Sequence, residues 1–180
     1  MDKNYIIIMN RLAINISEYD PYYKRYIEKL PEDRSLLNHF EIGKREVMEF
    51  FLSIPEDKLQ YRYAPNKWNC KEIYQHLIDT ERIFMHRCFR IARRDTTPLA
   101  GFDQNIYINP SGANQKTTHK LMTEFMINRN HSISLLESLT NEDLKYIGNA
   151  NGGPMSARAA AFVIPGHNIW HIDIIKERYL

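Results

Sequence analysis

Asn69–Arg93 reads NCKEIYQHLIDTERIFMHRCFRIAR. Asn69 and Glu72 have the spacing of a capping box, in which each side chain accepts from the other residue's backbone N–H. Beyond them Ile73, Leu77, Phe84, Cys88 and Ile91 recur on one helical face, which predicts a helix from about Cys70 to Arg93. A helix that long with one apolar face needs other helices or a sheet to cover it. The flanking sequence supplies helices. Ser35–Ile54 carries Leu36, Leu37, Phe40, Val47, Phe50 and Phe51 on one stripe and is stopped by Pro55. Thr118–Leu139 presents Leu121, Phe125, Leu135, Leu136 and Leu139. Ser156 reads as the N-cap of a last helix that runs to the chain end. Pro165 lies inside it and would leave the Ala161 carbonyl without its helical donor, so a kink or restart is expected there.

The remaining segments are shorter. Asp20-Pro21 opens a short extra helix near the N-terminus, PYYKRYIEKL, with proline at the first helical position. Asp95–Lys116 has two prolines, two glycines and no helical period, which predicts a long loop. Phe102 and Tyr107 argue that it is ordered over a cleft. Asn149–Pro154 is a cluster of turn residues. Strands find no convincing pattern, although short ones in the loop regions stay open. The expected fold is all-α: a four-helix bundle with a long ordered loop and a short extra N-terminal helix, forming one domain over residues 1–180.

Composition narrows the function classes. Hydrophobic residues make up 43% and charged residues 26% of the chain, as in ordinary globular proteins. The net charge is only +2, from 24 basic and 22 acidic residues, so no nucleic-acid footprint is expected. Arg90–Arg94 (RIARR) is the densest basic stretch and reads as a solvated helix end. No segment reaches the roughly 20 apolar residues of a membrane span, and MDKNYIIIMNR lacks a leader's cleavage site. Cys70 and Cys88 share one helix and would stand about 27 Å apart along it, too far for a disulfide. A cytoplasmic protein with free thiols is expected.

The seven histidines carry the functional reading. His167 and His171, in GHNIWHIDIIKERYL (Gly166–Leu180), are four residues apart and share a helical face with Ala160, Ile164 and Ile174. Two buried core histidines would give the same spacing. His76 falls on or beside the inward stripe of the Cys70–Arg93 helix. Three inward histidines on two facing helices can satisfy one another through a cation, and imidazoles suit zinc, nickel, iron or copper better than calcium or magnesium. Three protein ligands leave coordination positions open, as in catalytic sites. His39, His86, His119 and His131 show no such pairing.

Several motifs together resemble the DinB-like (YfiT-like) superfamily of helical-bundle metalloproteins. They are Arg62-Tyr63-Ala64 with Lys67-Trp68, KEIYQHLIDTERIF (Lys71–Phe84), RIARRDTTPLAGFDQ (Arg90–Gln104) and the closing GHNIWHIDIIKERYL. The resemblance runs from about Tyr19 to Leu180. It implies an up-down-down-up bundle of bacterial type, with His76, His167 and His171 as ligands of one divalent transition metal: nickel, zinc, iron or manganese. Relatives often read G-H-x-x-H-H, and here Trp170 replaces the first histidine of the last pair. Asp79 and Glu81 match an H-x-x-D-x-E pattern. Asp79 is a candidate to orient a ligand or contact the metal's water, against a plain pairing with Arg82 or Arg87 at the surface.

The resemblance also implies chemistry. Its first reading is a low-molecular-weight-thiol S-transferase, in which a cosubstrate such as bacillithiol or glutathione attacks an electrophilic small molecule. A metal-dependent hydrolase is the alternative. A non-catalytic metal-binding or stress-response bundle is a third reading of another class. Cys70, at a helix N-terminus where thiols can be activated, reads as a cap-region residue. The expected partner is a small-molecule substrate, with no nucleic acid or membrane, and a homodimer is compatible with such a bundle.

Overall fold

The computed structural model describes residues 9–180. The leader reading of MDKNYIIIMNR falls largely outside them. Asp20 accepts from the Tyr22 N–H and starts a 3-10 turn at Pro21–Tyr23, which leads into α1 (Lys24–Ile27). The Ser35 side chain caps α2 (Leu36–Ser53) by accepting from the Asn38 N–H. Pro55 leads into the single turn α3 (Glu56–Leu59). The Asn69–Glu72 capping box opens α4 (Cys70–Ala92). Arg62 clamps Glu72 through two 2.6 Å hydrogen bonds, which fixes the preceding connector to the helix start.

After α4 come α5 (Asn105–Ser111) and α6 (Thr118–Glu137), the latter capped by Thr117. Then follow α7 (Asn141–Lys145), a hairpin of β1 (Ile147–Ala150) and β2 (Gly153–Ser156), and α8 (Ala157–Arg178) capped by Ser156. The long helices pack as a four-helix bundle. Helix α4 lies against α6 and α8, and α2 lies against the same two. Helix α1 rests on α8.

The interior has two apolar clusters. One gathers Leu36, Phe40, Phe84, Leu136 and Phe162. The other gathers Phe51, Tyr74, Leu77, Phe125 and Ile175. Along each of α4, α6 and α8 a buried polar layer falls between them. Glu81 and Arg129, both fully buried, meet through hydrogen bonds of 2.8 and 2.7 Å. Ser132 donates to Glu81 at 2.7 Å, and Arg129 also donates to the Phe40 carbonyl. With its amide turned to match this network, Asn168 accepts from Arg129 at 2.7 Å. Every charge in the layer is thus paired and hydrogen-bonded, the condition for burying it at all.

Four sequence expectations need revision. The Asp95–Lys116 segment contains α5 and a 3-10 turn at Ala113–Gln115. None of the α5 residues is buried, so no apolar period marks the helix. Residues 147–156 form a hairpin rather than a bare turn. Asn151 and Gly152 take φ of 57° and 82°, the mirror-image turn that an Asn-Gly pair favours between two strands. Helix α7 was also unexpected; Thr140 and Asp143 form its capping box. Finally, α8 passes through Pro165 without a restart. The packed surroundings hold it there: Ala157 to His167 is buried at every residue except Arg158.

Gly166 shows how tight that packing is. A Cβ at this position would lie 2.1 Å from the Tyr26 carbonyl oxygen. Only glycine lets the backbone of α1 approach α8 this closely, and that contact brings the tyrosines of the N-terminal segment up to His167.

Candidate metal centre

Helix geometry places the three histidines. His167 and His171 are one turn apart on α8, and His76 faces them from α4. All three are buried. The Nε2 atoms of His76 and His167 are 3.1 Å apart, and those of His171 and His167 are 3.0 Å apart. One ligand nitrogen from each residue lies within 4.8 Å of the others, so this group could hold a metal ion.

Hydrogen bonding alone explains the contacts poorly. An Nε2 atom has either one proton or one in-plane lone pair. His167 Nε2 cannot make two well-directed bonds, to His76 and to His171, at once. Nitrogens about 2.1 Å from a shared transition-metal ion would naturally stand this close. The donor set therefore fits a transition metal.

Electrostatics agree with that fit. Burial pushes the His76 imidazole down to about 4. Burial also holds His167 and His171 well below the usual histidine range, with the neighbouring imidazoles adding to the effect. The neutral form is the one that ligates. Thr80, one turn beyond His76, places its hydroxyl 3.3 Å from His76 Nδ1. A proton on Nδ1 directed at Thr80 leaves Nε2 free to bind.

Aromatic rings support each ligand. Trp68 lies 4.7 Å from His76, Tyr26 lies 5.2 Å from His167, and Trp170 lies 4.8 Å from His171, all between ring centroids. Trp170 also packs edge-on to Tyr26. These residues wall a cavity of about 480 Å³ that opens over the histidines. Phe84, Arg87 and Phe102 extend its wall along α4 and the long connection. Asp20 is the one carboxylate in the wall among the described residues, and its Oδ1 is committed to the Tyr22 N–H.

The other sequence candidates fall elsewhere. Asp79 does not join the histidines. It accepts from Gln75 at 3.1 Å and from Arg82 at 3.0 Å, in a separate depression facing Glu124 and Lys116. Of residues 79–81, it is Thr80 that touches His76. Arg87 pairs with neither Asp79 nor any other carboxylate among the described residues. Glu81 belongs to the buried layer with Arg129. Cys70 is buried and its thiol is pushed up to about 11 by burial, which leaves it protonated and unreactive. His86, His119 and His131 are exposed. His39 is buried, with no hydrogen-bond partner for Nε2, and packs on Phe162. Sequence reading did not find Arg87, Tyr23 or Tyr26 as cavity residues, although it did place Phe102 on a segment covering a cleft. The tyrosine run 22–23 with Tyr26 was visible, but nothing local says that α1 folds onto α8.

Comparison with known proteins agrees with this architecture. The DinB superfamily model matches residues 39–175. Among solved structures, YfiT from Bacillus subtilis superposes with a TM-score of 0.72 at 16% identity, over 90% of this chain and 92% of that one. It is described as a "probable metal-dependent hydrolase with an unusual four-helix bundle topology". At that identity the likeness is one of fold. No curated protein gives a significant match.

Proposed function

This chain belongs to the DinB superfamily, and we propose that it is a metal-dependent hydrolase of small molecules whose ion is held by His76, His167 and His171. The convergence of three buried Nε2 atoms on one point, at the floor of an open cavity, carries the reading. The description of YfiT supports the reaction class. A bound divalent ion, whether nickel, zinc, iron or manganese, supplies Lewis acidity that polarises an ester- or amide-like carbonyl and acidifies water. The chain's own groups do the rest. Thr80 holds His76 in the ligating tautomer. Trp68, Tyr26 and Trp170 pack on the three rings and hold them in place. No fourth protein ligand is evident among the described residues, consistent with an open catalytic site rather than a closed structural one.

Thiol transfer is the second reading, and one observation favours it. Among the described residues the wall carries a single carboxylate, Asp20, and one of its oxygens already accepts from the Tyr22 N–H, so a carboxylate base is scarce here. A thiol acidified by a bound ion would need no such base, whereas hydrolysis commonly uses one.

The proposal extends to chain course and domain organisation. Helices α2 and α8 run from the Phe40–Phe162 cluster toward the Phe51–Ile175 cluster, and α4 and α6 run the other way. This supports an up-down-down-up order. The same two clusters draw on all four long helices, which supports a single domain over 1–180.

Metal content by mass spectrometry tests the site. About one transition ion per chain is expected in the wild type, lost in His76→Ala and His171→Ala while circular dichroism stays helical. A wild type that takes up no ion after soaking with nickel, zinc, iron and manganese would end the proposal. Ester and amide hydrolysis, measured beside glutathione or bacillithiol transfer to an electrophile, then separates the two reactions.

A further inference from the structure

Among the described residues two arginines, Arg87 and Arg129, are almost wholly buried, and only Arg129 is paired with a carboxylate. Arg129 has Glu81, Ser132 stands beside the pair, and no solvent reaches it. Arg87 is 2% exposed and has no counter-charge among the described residues. Its NH2 donates to the Ala100 carbonyl at 3.0 Å, while its buried NH1 has no acceptor. The neighbouring Arg82 and Arg90 bind Asp79, Glu124 and Asp95, and Asp20, the carboxylate in the cavity wall, caps Tyr22 and forms no ion pair with Arg87. A buried cation without a counter-ion is unfavourable unless something else supplies the negative charge.

The guanidinium is also held in place. Its carbon lies 4.9 Å from the Phe84 ring centre and 5.7 Å from that of Phe102. Both rings, and Arg87 itself, line the histidine cavity. His76, Thr80, Phe84 and Arg87 follow one strip of α4, with a rise of about 16 Å from the first to the last. The cavity therefore has imidazoles at one end and a fixed, unpaired cation toward the other, with apolar rings between them.

We infer that Arg87 anchors an anionic group, a carboxylate or phosphate, on the substrate of this cavity. The inference rests on the proposed function only in taking the cavity as the substrate site. The substrate is then a small organic anion with an apolar middle, its reacting bond directed at the histidines and its charge at Arg87. An arginine suits that task because its planar donors match an oxyanion and its faces stack on aromatic rings.

Both of the chain's tryptophans, Trp68 and Trp170, line this cavity, so intrinsic fluorescence reports its occupancy. The probes are 4-phenylbutyrate, the corresponding neutral amide and phenyl phosphate, titrated into zinc-loaded and chelator-stripped protein. An anion is expected to bind at least tenfold more tightly than the amide in both forms, and the better of the two anions identifies the group. Arg87→Gln should reduce that preference to below twofold, and Arg87→Lys, which keeps the charge, should retain part of it. Equal binding of anions and amide, or no binding of any probe, overturns the inference. So does a preference that appears only with zinc or survives in Arg87→Gln, because the ion would then hold the anion. Zinc content measured on the same samples judges the metal reading separately, and the stripped protein tests Arg87 without it.

Discussion

Replacing Gly166 with alanine adds one methyl group at the crossing of α1 and α8. The new Cβ would stand 2.1 Å from the Tyr26 carbonyl oxygen and 2.6 Å from its carbon, where real contacts essentially never fall below 3.0 Å. The two backbones must separate by the difference, 3.0 minus 2.1, or 0.9 Å. A backbone carbonyl cannot swing aside as a side chain can, so the strain should reach about 3 kcal/mol, the upper part of the range for overpacked cores. Complete release of α1 would cost more, because Tyr26 and Ile27 would each lose about 1.5–3 kcal/mol of burial. Alanine's better helix propensity returns about 1 kcal/mol. The net destabilisation is therefore about 2 kcal/mol, or a Tm lower by about 4–8 °C for a chain of this size. Thermal and urea unfolding followed by circular dichroism measure it. Because Tyr26 packs on His167, ion affinity should fall as well. An unchanged or raised Tm would refute the reasoning, since it would mean that α1 is not seated on Gly166.

Arg129→Met strands the fully buried Glu81 carboxylate and should cost about 3–5 kcal/mol in urea unfolding, with most of it recovered by adding Glu81→Leu; a loss below about 1 kcal/mol would contradict the buried pairing. His39 bears on acid stability: burial pushes its folded pKa down to about 4, against 6.5 unfolded, so the unfolded chain takes up the proton first. Its contribution is full above pH 6.5 and lost as pH falls toward 4, by up to about 1.4 kcal/mol per pH unit. Wild type should therefore lose more stability than His39→Leu between pH 7 and 5, and parallel profiles would count against this assignment. Tyr179 donates to the Trp68 carbonyl at 2.6 Å, so Tyr179→Phe should cost about 1 kcal/mol and alter tryptophan emission while metal content stays near one per chain; an unchanged spectrum would show that this bond does not set the Trp68 wall.

Much of the fold was legible because the relevant physics is local. Ser35, Asn69, Thr117 and Ser156 all accept the N–H expected of an N-cap, and the long helices begin within a residue or two of where caps and apolar spacing put them. The spacing of His167 and His171, and the place of His76 on the α4 stripe, likewise follow from helical geometry. The hairpin at Asn151-Gly152 was equally local, but it was read only as a turn because its strands are four residues each and show no clean alternation. Helix α5 left no signal, since it buries nothing.

Tertiary structure decided what each inward group meets. The sequence offered Asp79 and Glu81 together near His76, and neither serves the histidines: the fold turns Asp79 toward Arg82 and Glu81 toward Arg129, leaving Thr80 to face the imidazole. It put Arg87 on a cavity wall with no carboxylate paired to it among the described residues, and buried His39 without a partner for Nε2. Periodicity assigns a residue to a face of its own helix through bonds a few residues long. Which side chain stands opposite depends on contacts 48 residues away for Glu81 and Arg129 and 91 for His76 and His167. Those partners are chosen by packing of the whole chain, which no local pattern records.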